Sequence, residues 1–349
     1  MLPWQSREFD EHEQVCAFND PATGLRTIIA IHSTKLGTAI GGTRFLSYLS
    51  DDLALDDALR LSRAMSYKCA LAGVPFGGGK AVIIGDPVQC KSPELLRSYG
   101  QCLNRIGSTF ATGEDVGFSV ADCEVIRKVS PYVAGTESEG VGDPSAYTAL
   151  GVMHGLRALM RTKFDHEEFW KVKVAVQGLG NVGWKLCSLL HQAGTQLTVA
   201  DIRADRVERA QRQFEARAVS TDEVHAADVD IFSPCALSGA INSATVSSIR
   251  ASVIGGAANN QFSEPGMSNV LHDRGVLYAP DYIINAGGVI GSVDEIAKIP
   301  GRAKLDLQPV TERLASIYDR LLRVFDISMT EGIPPDGVAL RMARQLIGR

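Results

Sequence analysis

The sequence predicts an α/β protein of two domains with a cleft between them: an N-terminal α/β domain on a mixed sheet and a C-terminal dinucleotide-binding domain. Three observations carry this. The chain has 349 residues, too many for one ordinary core and comfortable for two. From Pro144 onward, short β-branched runs alternate with helical periodicity, the pattern of a parallel sheet covered on both faces. Finally, Val174-Ala175-Val176-Gln177 is a strand that runs into Gly178-Leu179-Gly180-Asn181-Val182-Gly183, a G-x-G-x-x-G turn followed by an apolar helix.

The elements follow in order. Val15-Cys16-Ala17-Phe18 and Leu25-Arg26-Thr27-Ile28-Ile29-Ala30-Ile31-His32 alternate as strands do, and the turn chemistry of residues 19–24 joins them into a hairpin. Asp51 or Asp52 caps a helix through Ala54–Lys68, where Leu55, Ala58, Leu59, Leu61 and Met65 repeat at helical spacing. A glycine-rich loop, Gly73–Lys80, leads into a short strand, Ala81–Ile84. Ser92-Pro93-Glu94 opens another helix, with proline tolerated in its first turn. Past Pro144 come a helix (Thr148–Met160), a strand (Val172–Val176), and then Trp184–Gln192, Gln196–Ala200, Arg206–Phe214, Val229–Phe232, Ser252–Gly255 and Gly275–Tyr278. The alternation stops near Asn285. A last long helix, Gln308–Glu331, follows Pro300-Gly301 and is expected to return to the first domain. Glu137–Asp143 has the composition of an exposed linker.

Composition narrows the function. A net charge of −5 gives no basic excess to displace counterions from nucleic acid. No stretch reaches the roughly 18 apolar residues of a membrane span, and residues 1–13 lack the layout of a signal peptide. The seven cysteines are scattered, with no CxxC pair, which suits reduced thiols in a cytoplasmic protein and offers no metal framework.

In the fingerprint, the first glycine makes the tight turn, the second lets a pyrophosphate approach, and the third lets helix and strand pack closely. The helix N-terminus adds unpaired N–H groups and partial positive charge. The next strand ends in Asp201, where a carboxylate binds the adenosine ribose and repels a 2′-phosphate. This is a Rossmann-type arrangement that favours NAD over NADP, although Arg203 and Arg206 stand nearby.

In the first domain, Lys68 follows Ser66-Tyr67 and Lys80 follows Gly77-Gly78-Gly79. A lone lysine is usually solvated, but Lys80 sits between a triple glycine and an apolar run. There desolvation would draw its pKa towards neutrality, as a general base requires. A phosphate loop is excluded, because the spacing is wrong and a strand follows instead of a helix. Gly113-Glu114-Asp115-Val116-Gly117 adds a carboxylate that reads either as a proton shuttle or as a plain ion-pair partner.

Taken together, Gly41-Gly42-Thr43-Arg44, the Ala58–Lys68 helix, Gly73–Lys80, Glu114-Asp115-Val116-Gly117, Gly178–Gly183, Gly256-Ala257-Ala258-Asn259-Asn260-Gln261 and Asn285-Ala286-Gly287-Gly288 recur in this order over nearly the whole chain. The sequence resembles the glutamate/leucine/phenylalanine/valine dehydrogenase family, closest to its branch acting on leucine, phenylalanine or tryptophan. The resemblance implies NAD-dependent oxidative deamination of an apolar L-amino acid, and self-association into a homo-oligomer. It implies that Lys68, the N–H groups of Gly41 and Gly42 and the amide of Asn260 hold the substrate carboxylate. Lys80 would activate water, and Asp115 would exchange protons with the amine. Asn285 and Thr148 would lie near the nicotinamide, and Cys235 and Ala236 would flank the cofactor. Residues 1–144 would bind substrate and oligomerise, 145–327 would bind NAD, and 328–349 would pack back onto the first domain. The side-chain pocket would include Ile40, Gly113, Val289 and Ser292, with Gly291 beside it. The small residues at 113, 291 and 292 favour an aromatic substrate, with leucine or valine as the alternative.

Two rival readings remain. A hydroxy-acid dehydrogenase would use a histidine, and all seven histidines lie outside the glycine-rich motifs. A non-catalytic dinucleotide binder would not need Lys68, Lys80 and Asp115, all of which are in place.

Overall fold

The computed structural model describes residues 2–136, 143–300 and 307–349. Residues 137–142 of the expected linker, and Gly301, lie outside the described residues. The chain forms two compact units, the first comprising Met1–Asp143, Ser292–Leu307 and Ala343–Arg349, and the second Pro144–Gly291 and Gln308–Met342.

The first unit opens with the expected hairpin, β1 (Gln14–Asp20) and β2 (Leu25–Ser33), paired antiparallel. Then come β3 (Ala39–Ile40), β4 (Thr43–Leu46), α1 (Asp51–Ala72), β5 (Gly77–Ile84), α2 (Pro87–Cys90), α3 (Pro93–Ile106), β6 (Phe110–Ala111) and α4 (Val120–Arg127). The strand order is β1-β2-β5-β3-β6, with β4 also on β5. Because β2 meets β5 antiparallel while β3 and β4 meet it parallel, the sheet is mixed. Side chains alternate across it, as the period of two requires. Ile29, Ile31, Ala81 and Ile83 pack with Leu95, Leu96, Tyr99 and Leu103 of α3. Ala30 and Val82 pack with Ala54, Leu55, Ala58 and Leu59 of α1.

Two local expectations are corrected. The N-cap of α1 is Ser50, whose side chain accepts from the Leu53 N–H, while Asp51 and Asp52 occupy the first turn, where negative charge suits the helix dipole. The glycine-rich stretch is not a loop, since Gly77-Gly78-Gly79-Lys80 is the first half of β5. Each glycine marks a close approach. A Cβ on Gly77 would stand 2.0 Å from Ser33 O, one on Gly78 2.0 Å from Ser66 N of α1, and one on Gly79 2.6 Å from the Phe110 ring.

The second unit contains α5 (Ser145–Phe164), β7 (Lys173–Gln177), α6 (Asn181–Gln192), β8 (Gln196–Ala200), α7 (Ala204–Phe214), β9 (Arg217–Ala218), β10 (Ile231–Pro234), β11 (Val253–Ile254), α8 (Met267–Asp273), β12 (Leu277–Tyr278), α9 (Asp281–Ile284) and α10 (Gly287–Gly291). The short α11 (Val293–Ile296) belongs to the first unit; α12 (Val310–Glu331) returns to the second, and α13 (Pro335–Leu346) passes from the second into the first at Ala343. All strands of the second sheet are parallel, in the order β12-β11-β10-β7-β8-β9. This is the doubly wound order, with its switch point between β7 and β10, where such sheets bind ligands beyond the strand ends.

The long helix α12 therefore does not return to the first domain. It packs on α5, where Gly151 and Gly155 leave room for Ile317 and Leu321; a Cβ at either glycine would meet those side chains at 2.9 and 3.1 Å. The segment that joins the first unit begins at Ala343 rather than at residue 328.

The contact between α1 and β5 yields a prediction. Gly78→Ala pushes a methyl into the Ser66 backbone, and overpacking of this kind costs about 1–3 kcal/mol. Chemical denaturation should show that loss; an unchanged midpoint contradicts the packing described.

Candidate active site

In the first unit the sheet buries a charge. Lys80 is 5% exposed, and by alternation it shares the face of Gly78 and Val82, the α1 side. Its Nζ donates to Asp115 Oδ2. Asp115 lies in the loop after β6, pinned by reciprocal backbone bonds with Phe118 and by the Phe45 N–H donating to Val116 O. Gly117, at φ +73°, lies so close to Phe45 O that a Cβ would stand 2.0 Å away. The Asp115 Oδ1 accepts from the Val116 N–H at 2.6 Å and lies 3.5 Å from Arg44 Nε. Burial pushes the Asp115 carboxyl up, but the Lys80 ammonium, its hydrogen bond, the Arg44 guanidinium and the Val116 N–H outweigh it and hold the carboxyl below its usual range. The neighbouring Glu114 is shifted the other way, raised by burial and by the charges of Asp143 and Asp115.

The Gly41-Gly42 turn sits against this pair. A Cβ on Gly42 would stand 2.4 Å from Glu114 O and 2.9 Å from Asp115 Cβ, and one on Gly41 would stand 3.3 Å from Met65 Cγ of α1. Lys68, half-buried, follows Met65 by three residues, which puts it on the same helix face. Lys80, Asp115, Gly41 and Gly42 are thus brought into one neighbourhood, with Lys68 one turn along α1 from the Met65 that faces Gly41. The Gly41 N–H donates to Ala111 O at 3.3 Å. Ile40, buried, pairs with Gly78 and Ala111 across β3. Gly113 is next to open space, since a Cβ there would meet only Ala134 O, at 3.4 Å, and Ala134 C. Ser292 is also in this unit, half-buried.

In the second unit the fingerprint glycines sit at the switch point. Gly178 has φ +97°, and a Cβ on it would stand 2.9 Å from Ala236. A Cβ on Gly183 would stand 2.0 Å from Gly178 O, and one on Gly180 would meet nothing within 4 Å. The turn and the helix–strand contact therefore need glycine for packing, while Gly180 leaves open the approach to the N-terminus of α6, which starts with Asn181 and Val182. Asp201 follows β8. Its Oδ2 accepts from the Leu179 N–H at 2.6 Å and its Oδ1 from the Arg203 N–H at 2.8 Å. The side chain of Arg203 pairs with Asp205, and Arg206 Nη1 stands 3.9 Å from Asp201.

Cys235 donates its N–H to Gln177 O at 2.7 Å, carrying the Pro234-Cys235-Ala236 turn alongside the glycine loop. Asn285 is 6% exposed; its Nδ2 donates to Ala257 O, Ala258 O and Asn259 Oδ1, while its Oδ1 is buried with no partner. Thr148 Oγ1 donates to Pro144 O, and a Cβ on Gly288 would stand 2.9 Å from it. Asn260 is exposed at φ +48°, and Val289 is half-buried on α10.

These residues fit a dinucleotide: glycines that admit a pyrophosphate, a fixed carboxylate at the second strand, and an orphaned acceptor at Asn285 that a carboxamide N–H would satisfy.

One expectation about the pocket is overturned. The volume missing at Gly291 is not vacant, because the Tyr147 ring fills it and a Cβ would stand 2.4 Å from that ring. The sequence reading also passed over residues the structure brings forward. Ile202 is 91% and Leu237 86% exposed, two apolar side chains in the segments after β8 and β10. The only sequence signal was an isoleucine interrupting the polar run Asp201–Arg206. Arg44 follows the Gly41-Gly42 turn, and no local pattern in the sequence marks it for a role. Among the described residues no group of side chains could hold a metal ion, and no helix is long and apolar enough to cross a membrane.

The family model for the Glu/Leu/Phe/Val dehydrogenase dimerisation domain matches residues 12–131, and that for Glutamate/Leucine/Phenylalanine/Valine dehydrogenase matches 140–205 and 198–331. The chain belongs to this family of amino-acid dehydrogenases. It is 42% identical to a leucine dehydrogenase of Geobacillus stearothermophilus, over 97% of this chain and 91% of that one. It is equally 42% identical to a phenylalanine dehydrogenase of Bacillus thermotolerans, over 97% and 89%. The crystal structure of L-tryptophan dehydrogenase from Nostoc punctiforme matches with a TM-score of 0.84 at 41% identity, covering 97% of this chain and 96% of that one.

Proposed function

We propose that the protein catalyses the reversible NAD-dependent oxidative deamination of an apolar L-amino acid to its 2-oxo acid and ammonia. The observation that carries this is the ion pair of Lys80, buried in a glycine-walled sheet, with the half-buried Asp115, in a chain that also has the dinucleotide fingerprint. Hydroxy-acid oxidation needs no such pair.

The roles follow from the chemistry of the groups. In the first unit, Lys68 and the Gly42 N–H hold the substrate carboxylate. The dinucleotide supplies, when bound, the hydride acceptor for Cα. Lys80, as the free amine, takes a proton from the water that attacks the imine carbon. Asp115, ionised, takes the proton from the substrate ammonium and returns one to the departing ammonia. Asn285 Oδ1 and Thr148 orient the nicotinamide, Gly178–Gly183 with Cys235 and Ala236 receive the pyrophosphate, and Ile202 and Leu237 cover the adenine. Asp201 selects NAD, because a 2′-phosphate would meet its fixed carboxylate. The family description as a dimerisation domain supports a homo-oligomer formed through the first unit.

For the side chain, the wall that the first unit supplies, Ile40, Gly113 and Ser292, favours an aromatic ring, and this now rests mainly on Gly113. The second reading is leucine or valine, supported by the equal identity to a leucine dehydrogenase.

Spectrophotometric NADH formation at alkaline pH should appear with at least one of phenylalanine, tryptophan, tyrosine, leucine and valine, and NAD should exceed NADP in kcat/KM. Activity on none of them defeats the proposal, and a preference for NADP defeats the role of Asp201. Gly113→Ala, which the backbone accommodates, should lower kcat/KM for phenylalanine relative to leucine about tenfold, the scale of about 1–3 kcal/mol per methylene. An unchanged ratio removes Gly113 from the pocket.

A further inference from the structure

Arg44, on β4, has no part in the roles above, yet it is fixed between the active-site carboxylate and α1. Its Nη1 donates to both oxygens of Asp57, at 3.0 and 3.3 Å. Its Nε is buried without a hydrogen bond and lies 3.5 Å from Asp115 Oδ1, while Lys80 engages Oδ2. Asp57 is held in turn by the Tyr48 hydroxyl at 2.8 Å and by Arg60 Nη2 at 2.6 Å. A permanent cation therefore stands against the oxygen of Asp115 that Lys80 leaves unused.

The reaction makes that placement useful. Lys80 can act as a base only as the neutral amine, and at that moment Asp115 loses the charge of its closest partner. A half-buried carboxylate without a cation takes up a proton more readily, and the pair would then pass protons to each other instead of to the substrate. A guanidinium stays charged throughout the working pH range. We propose that Arg44 is a positioning residue that keeps Asp115 ionised and oriented while Lys80 is neutral, with Asp57 holding Arg44 in place. The inference rests on the assignment of Lys80 and Asp115 as the acid–base pair.

The groups facing Asp115 are Lys80 from β5, Arg44 from β4 and Glu114 from its own loop. Tyr48 and Asp57 stand behind Arg44, and Lys68 lies further along α1. The Arg44 guanidinium helps hold the Asp115 carboxyl down, so removing its charge lets that carboxyl keep a proton to higher pH. Removing the Asp57 charge leaves the field of Arg44 uncompensated and has the opposite effect.

The test is the pH dependence of kcat/KM for deamination, with the labelling of Lys80 by acetic anhydride against pH, read by peptide mass spectrometry, as an activity-free arm. Arg44→Gln should move the rising limb and the labelling curve to higher pH by about one unit. Arg44→Lys should restore most of the shift, and Asp57→Asn should move both curves to lower pH. A purely structural role would lower kcat/KM at all pH values with the limb in place, and that result overturns the inference. If Arg44→Gln does not fold, Asp57→Asn decides, and a limb that stays or moves upward overturns it. If the wild type reduces NAD with no amino acid, the function has failed, and the labelling curves alone decide on Arg44: identical curves in wild type and Arg44→Gln overturn it.

Discussion

The close approach of α1 to β5 is the constraint on which the first unit depends. Three consecutive strand residues lack side chains because Ser33, Ser66 and Phe110 occupy the space where their Cβ atoms would stand. Glycine in a strand interior is unfavourable by itself, so the packing of α1 and the neighbouring strands must compensate. The result is a lysine that emerges inside the sheet, 5% exposed, beside a loop whose own backbone is pinned to β4. A buried ammonium needs a counter-charge, and Asp115 supplies it. The pair is thus a consequence of the packing, not an addition to it.

The second unit solves a different problem with the same residue type. Its parallel strands reverse order at β7 and β10, and the chain must turn there tightly enough to start α6 at once. Gly178 and Gly183 serve that turn, while Gly180 faces open space. Asp201 ties the turn to β8 through the Leu179 N–H, so the carboxylate proposed to read the ribose also fixes the loop beside it. The orphaned oxygen of Asn285 is a place that a carboxamide N–H would fit, since a buried acceptor gains by pairing.

Most of this was legible in the sequence where a local rule applied: the hairpin from its alternation, the parallel sheet from its β-branched runs, and the fingerprint from its spacing. What was not legible depended on long-range contact. Gly77–Gly79 reads as a loop to any local rule, because glycine depletion in strands says nothing about a helix pressing on one. Gly291 reads as vacant space until Tyr147 is seen to fill it. The destination of α12 is not legible locally because the groove at Gly151 and Gly155 is a feature of a partner helix over 150 residues away in sequence. Arg44 shows the same limit: its neighbours Asp57 and Asp115 come from different elements, and only the fold joins them.

The most direct measurement is on Lys80→Ala, assayed for turnover with the best amino acid and for NADH binding by fluorescence. The account predicts that NADH binds as in the wild type while kcat falls about a hundredfold or more, the scale of a general base. Turnover within a few-fold of the wild type would contradict it.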